Sequence, residues 1–232
     1  MSSAVNPAAE FAPETARRAA ASQGASADAI YQMVRGVIVS RHAGGGLLAD
    51  VGCGHGHLWQ SVTEHFDRYA GIDAVRYDGF PDDGEFVLLD LDTGGAPLPD
   101  GAADVVACVE TIEHVENPRA LARELMRLAK PGGLVIVTTP NQLSLLSKLT
   151  LVIKNQFNAF TESSYPAHLT ALLECDLRRI AAECGLEEVE VLFTGQGRVP
   201  GTKWHWPSWL SAVLPRAFSD NVGLVGRKRQ SR

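Results

Sequence analysis

Leu47-Leu48-Ala49-Asp50-Val51-Gly52-Cys53-Gly54-His55-Gly56-His57-Leu58 is the stretch that decides the fold. An apolar run ends in an acidic residue, and glycines follow at alternate positions. The pattern predicts a buried strand, a tight turn and the start of a helix. Glycine at 52, 54 and 56 permits a sharp turn and a close backbone approach to a ligand. A helix beginning near Gly56 would present unpaired N–H groups to an anionic group. The stretch therefore reads as a nucleotide-type cofactor loop. Two common glycine loops do not fit it. A dinucleotide fingerprint would need its third glycine at position 57, where the chain has His57. A phosphate-cradling loop would need Gly-Lys-Ser/Thr at its end, and that triplet is missing.

Strand and helix alternate outward from this loop. Strands are predicted over Tyr69–Asp73, Phe86–Asp90, Ala103–Val109 and Leu134–Thr138. A helix is expected from Pro118 to Ala129, with Leu121, Leu125 and Leu128 at helical spacing and Lys130-Pro131-Gly132-Gly133 as its stop. Before the loop, residues 13–42 read as two helices broken at Ser22-Gln23-Gly24, with Ser26 capping the second. After Pro140-Asn141, the stretch Leu143–Phe160 is apolar, aromatic and basic, and another helix is expected over residues 173–184. Val189–Phe193 and Val222–Gly226 are the last strands, read as a hairpin-like edge around a segment holding Trp204, Trp206 and Trp209.

The expected fold class is α/β: a doubly wound, seven-stranded, mostly parallel sheet with helices on both faces. Helices precede the sheet, and a helical insertion lies over the site. Residues 1–12 read as a flexible tail and 13–232 as one domain. Within it, 43–141 form the cofactor-binding core, 142–168 a helical lid and 195–220 an irregular Trp-rich insertion. Asp50, Asp73, Asp90 and Glu110 fall at or just past strand ends, the rim where such sheets bind ligands.

Composition narrows the classes. The chain has 232 residues, 45% of them apolar, and a net charge of −6, which argues against a generic nucleic-acid surface. Its four cysteines, Cys53, Cys108, Cys175 and Cys184, lack Cys-x-x-Cys spacing and read as reduced thiols. With no secretory pattern and no run long enough to span a bilayer, the expected compartment is the cytoplasm.

The alternating glycines behind Asp50 resemble motif I of the Rossmann-like S-adenosylmethionine-dependent methyltransferases, and the resemblance covers residues 30–194. It implies that Asp50, Gly52, Cys53, Gly54 and Gly56 hold the methionine end of the cofactor. It implies that Asp73, beside Ala74, accepts from both ribose hydroxyls. Asp90 and the Leu91 N–H would meet the adenine, and Val109 is a further expected cofactor contact. The chemistry agrees, since a carboxylate accepts twice and an acidic rim suits a sulfonium cation.

Asp104–Val115 is the second informative stretch. Glu110, Glu113 and His114 stand at i, i+3 and i+4, which on a helical turn is one face. Such a set suits Mg²⁺, Mn²⁺ or Fe²⁺ more than structural zinc. The Glu-x-x-Glu-His pattern is similar to that of the ubiquinone-pathway O-methyltransferases, where it binds a divalent metal, and to that of small-RNA 2′-O-methyltransferases. In the latter a later histidine completes the set, and His168 stands in that place. Three roles stay open for His168: metal ligand, metal-free base and capping group. Glu113, His114 and His168 are the candidate catalytic residues.

The expected activity is O-methylation of a small hydroxylated molecule. RNA 2′-O-methylation would need a basic track, and a non-catalytic cofactor-binding module would need no Glu-His pair. Leu143–Phe160 reads either as a helix closing the substrate pocket or as a membrane-surface helix. A peripheral membrane contact and a dimer are both open on these residues.

Overall fold

The computed structural model describes residues 13–230; the expected tail at 1–12 lies outside them. Helices α1 (Pro13–Ser22) and α2 (Asp28–Arg41) precede the sheet. Then come β1 (Leu47–Val51), α3 (His57–Val62), β2 (Arg68–Asp73), β3 (Glu85–Leu88), β4 (Ala103–Cys108), α4 (Pro118–Leu128) and β5 (Ala129–Pro140). The chain ends with α5 (Leu145–Lys154), α6 (Glu174–Glu183), β6 (Leu186–Phe193), α7 (Ser208–Val213) and β7 (Asn221–Lys228).

The seven strands form one sheet in the order β3-β2-β1-β4-β5-β7-β6. β1 to β5 are parallel, and β7 runs antiparallel between β5 and β6. The last two strands do pair antiparallel, but only β6 is an edge. β7 reaches further in, because its Val222, Leu224 and Val225 are apolar enough to be covered on both faces.

Period-two alternation explains the double winding. On β1, Leu47, Ala49 and Val51 face one side, with Val106 and Cys108 of β4 and Val135 and Val137 of β5. Leu121, Leu125 and Leu128 of α4 and Leu177 and Ile180 of α6 cover that side. Leu48, Val105, Ala107, Leu134 and Ile136 face the other side, under Ile30, Val34 and Ile38 of α2 and Leu58 and Trp59 of α3. Each buried Leu, Ile or Val among them contributes ~1.5–3 kcal/mol of burial free energy.

Local chemistry sets most boundaries. Asn117 accepts the Ala120 N–H at 3.0 Å and Pro118 opens α4. Ser144 accepts the Ser147 N–H at 3.1 Å and starts α5. Ser26 does not cap α2. Ala27 holds that position, and the Ser26 N–H donates to the Tyr31 hydroxyl at 3.1 Å. The Pro131–Gly133 turn lies within the span of β5. There the ladder jumps from Ala103↔Ala129 to Val105↔Leu134, so residues 130–133 bulge out.

From β1 the chain winds outward through β2 to β3, then returns to β4 on the other side of β1. That reversal opens a crevice beyond the carboxyl ends of β1 and β4. The site lies there.

Candidate active site

The crevice continues into a cavity of about 560 Å³. Asp50, Gly52, Cys53, Asp73, Ala74, Asp90, Leu91, Val109, Glu110, Glu113, His114 and His168 all line it. Gly54 and Gly56 do not line it. The glycine loop adopts left-handed backbone at 52, 54 and 56, with φ of 77°, 52° and 75°. The missing Cβ atoms make room for protein rather than ligand. A Cβ on Gly52 would lie 2.1 Å from Thr111 Oγ1, and one on Gly54 would lie 2.0 Å from the Gly24 carbonyl oxygen. The joint between α1 and α2 is seated on the loop, and the His55 N–H donates to that same carbonyl at 3.1 Å.

Each acid on the rim is held by named donors. Asp73 accepts the Gly54 N–H at 2.8 Å and the Val75 N–H at 3.3 Å. Burial raises its carboxyl above the usual range, against those backbone donors. Asp50 accepts the Tyr69 hydroxyl at 3.1 Å, and burial pushes it up to about 7. Asp90 accepts the Thr15 hydroxyl at 2.8 Å and the Asp92 N–H at 3.0 Å. Arg18 reaches Asp92 at 2.8 Å, with both side chains largely buried. Tyr77 donates its hydroxyl to the Ala19 carbonyl at 2.8 Å. Helix α1 is thus strapped over one end of the cavity by groups from two loops, those after β2 and β3.

Glu110 stands apart from the cluster expected of it. The turn after β4 is not helical, and Glu110 has φ of +48°. Its carboxylate accepts the Thr138 hydroxyl at 2.8 Å and the Asn221 amide at 2.7 Å, and burial pushes it up to about 7. The i, i+3, i+4 face presumed a helical turn that the left-handed residue interrupts.

Glu113, His114 and His168 do come together. One donor atom from each falls within 4.8 Å of the others. Glu113 is fully buried, and Thr139 donates to its Oε2 at 3.0 Å. Its Oε1 has no hydrogen-bond partner among the described residues and lies 4.0 Å from His114 Nε2. The Nδ1 of His114 is 2.8 Å from the Ala167 carbonyl, and that of His168 is 2.5 Å from the Ala159 carbonyl. A carbonyl only accepts, so each Nδ1 carries the proton and each Nε2 keeps a lone pair when the ring is neutral. Burial, reinforced by the neighbouring His168, lowers the His114 imidazole to about 4. Burial lowers His168 as well. Two acceptor nitrogens and one orphaned carboxylate oxygen therefore converge where no donor meets them.

Sequence reasoning missed Thr15, Arg18, Thr138, Thr139 and Asn221. Thr15 and Arg18 had no signal, because nothing in α1 marks which strand end it will cover. Thr138-Thr139 had a weak one, as hydroxyls at the end of an otherwise apolar strand.

A profile of the methyltransferase-domain family matches residues 38–191. A probable S-adenosylmethionine-dependent methyltransferase of Mycolicibacterium smegmatis is 28% identical over 193 residues, 82% of this chain and 71% of its own length. A ubiquinone biosynthesis O-methyltransferase of Burkholderia pseudomallei is 31% identical over 162 residues, 65% of this chain and 68% of that protein. The crystal structure of a SAM-dependent methyltransferase from Archaeoglobus fulgidus shares the fold, with a TM-score of 0.60 at 17% identity, covering 85% of this chain and 94% of that one. The strand order, the acid-rimmed crevice and these relatives converge, and the chain belongs to the methyltransferase-domain family as an S-adenosylmethionine-dependent methyltransferase.

Proposed function

We propose that the chain methylates a hydroxyl of a small molecule, with a divalent metal held by Glu113, His114 and His168. The observation that carries this is the orphaned Glu113 Oε1 beside two imidazoles whose Nδ1 atoms are tied to backbone carbonyls. Burial and the nearby Glu110 raise the Glu113 carboxyl well above its usual range, so a cation reaching Oε1 would displace a proton and supply the partner that oxygen lacks. One carboxylate and two imidazoles suit Mn²⁺, Fe²⁺ or another first-row ion better than Mg²⁺, which prefers an all-oxygen shell. When bound, such an ion lowers the pKa of an acceptor hydroxyl and orients it.

The protein's own groups account for the rest. Thr139 engages Oε2 of Glu113 and leaves the buried Oε1 as its free ligand atom. In this reading Asp73, Asp90 and Leu91, which line the cavity, take the ribose and adenine of the cofactor, and Asp50 faces its charged end. Transfer forms an O–CH₃ bond as the S–CH₃ bond breaks, the electron pair returning to sulfur and the hydroxyl proton leaving to solvent. Alignment is the main contribution, worth ~7–11 kcal/mol in favourable cases. A metal-free reading would make His114 the base, but an imidazole held down to about 4 is poorly matched to deprotonating a hydroxyl near neutral pH. The named O-methyltransferase among the relatives supports oxygen as the acceptor atom.

The test pairs calorimetry with turnover. Wild type should bind S-adenosylhomocysteine and, separately, Mn²⁺, and should methylate members of a panel of phenols and catechols. Chelation should abolish turnover while sparing cofactor affinity. Full turnover in excess chelator, with no Mn²⁺ uptake, would refute the metal role.

A further inference from the structure

Helix α5 reads Leu145-Leu146-Ser147-Lys148-Leu149-Thr150-Leu151-Val152-Ile153-Lys154, and Ser147 is its buried residue. A helix this apolar is ordinarily covered by its own protein or by lipid. Here Val152 is 80% exposed and Ile153 75%, and Leu149 and Leu151 are exposed as well. The segment around α7 repeats the pattern, with Trp204 77% exposed and Trp209, Val213 and Leu214 also outside. The two segments adjoin: the Leu145 N–H donates to the Ala217 carbonyl at 2.8 Å, and the Asn141 amide donates to the Arg216 and Ser219 carbonyls.

Charge separates the candidate occupants. The chain carries a net charge of −6, yet residues 143–161 and 195–219 contain no Asp or Glu. They contain Lys148, Lys154, Arg198, Lys203 and Arg216. Arg198 is paired with Asp220 and Arg216 with Glu174. Lys148, Lys154 and Lys203 are exposed and form no ion pair among the described residues. A second copy of the chain docking through this same face would set like charges face to face. An RNA would leave the exposed aliphatic and indole side chains against phosphates. An anionic bilayer surface satisfies both features: its headgroups meet the lysines, and its acyl boundary takes Val152, Ile153 and the tryptophans.

We infer that α5 and the Trp204–Leu214 segment form a peripheral docking surface for anionic lipid bilayers. It is not a span, since among the described residues no helix is long and apolar enough to cross a membrane. The placement bears on access to the site. Ser147 of α5 and His205 of the second segment line the cavity wall, and Asn158 and Arg198 from the adjoining chain do so as well. A docked molecule would hold its cavity mouth close to the lipid surface.

The experiment is flotation of the full chain with vesicles of phosphatidylcholine alone and of phosphatidylcholine with phosphatidylglycerol. Wild type should bind the anionic vesicles at least ~10-fold more tightly, and less so in high salt. Lys148→Glu with Lys154→Glu should weaken binding by more than ~25-fold, about fivefold for each lost cation. Val152→Glu with Ile153→Glu should abolish it. Both double variants should keep wild-type affinity for S-adenosylhomocysteine, which separates lost docking from lost folding and does not depend on the acceptor or metal. Three outcomes would overturn the inference. One is no vesicle binding. The second is binding that these substitutions leave unchanged. The third is that the same substitutions abolish a dimer or an RNA complex instead.

Discussion

The Thr15 hydroxyl donates to Asp90 across 2.8 Å, joining helix α1 to the loop after β3 over a separation of 75 residues. With the largely buried Arg18–Asp92 ion pair, it makes α1 one wall of the cofactor cavity. A buried hydrogen bond of this kind contributes ~0.5–1.5 kcal/mol, and a desolvated ion pair costs more when only one partner is removed. Thr15→Val should therefore weaken S-adenosylhomocysteine binding by ~2–10-fold. Arg18→Ala should weaken it further and speed proteolysis between α1 and α2. Unchanged affinity and unchanged proteolysis in both variants would remove α1 from the cofactor site.

Gly54 tests the joint from the other side. An alanine there would carry a Cβ 2.0 Å from the Gly24 carbonyl oxygen, on backbone with φ of +52°. The left-handed conformation alone costs ~1–2 kcal/mol for an L-residue. Gly54→Ala is expected to lower Tm and to weaken cofactor binding by ~10-fold or more, because the α1–α2 joint must lift. Gly79 is the control, since an alanine Cβ there meets no atom within 4 Å, although its φ of +86° carries the same backbone strain. If Gly79→Ala impaired cofactor binding equally, strain rather than contact would be the cause.

Glu110 and Glu113 test the proposed metal set against the one a helical turn would have given. Glu113 offers Oε1 to the two histidines, whereas both oxygens of Glu110 are engaged by Thr138 and Asn221. Glu113→Gln should cut Mn²⁺ affinity by at least ~100-fold and abolish turnover with cofactor binding intact. Glu110→Gln should spare most Mn²⁺ affinity. Equal losses in titrations of the two variants would restore Glu110 to the ligand set.

Stability of the ligand-free protein should depend on pH in a definite direction. Burial pushes Asp50 and Glu110 up to about 7, whereas in the unfolded chain both ionise near ~4. A raised carboxyl keeps its proton in the folded state, so its contribution is full below the unfolded value and is lost as pH rises through about 7. His114 acts oppositely, being lowered to about 4, so it costs stability only as pH falls below ~6.5. From about pH 8 down to about pH 6.5 the carboxyls act without that opposition. Stability should rise over that interval by up to ~1.4 kcal/mol per pH unit for each fully titrating group, and Tm with it. Scanning calorimetry checks it, and a Tm that falls over the same interval would contradict the burial of these acids. Asp50→Asn should flatten the slope.

Much of this was legible along the chain because its physics is local. A near-continuous apolar run such as Leu47–Val51 is buried on both faces of a strand wherever it occurs, and Pro118 fits the first turn of a helix by its own chemistry. The acids Asp50, Asp73 and Asp90 follow strand ends, and parallel topology brings parallel strand ends to one rim. Glu113, His114 and His168 were visible as residue types with a suggestive order. What only the tertiary structure decided are the relations between remote segments. The left-handed turn at Glu110 took that carboxylate away from the histidines and gave it to Thr138 and Asn221. Packing put the Gly24 carbonyl where a Cβ of Gly54 would lie, and Thr15 against Asp90. Which donor meets which buried acceptor is settled when all desolvated polar groups are paired at once, and spacing along one strand or helix carries no record of that.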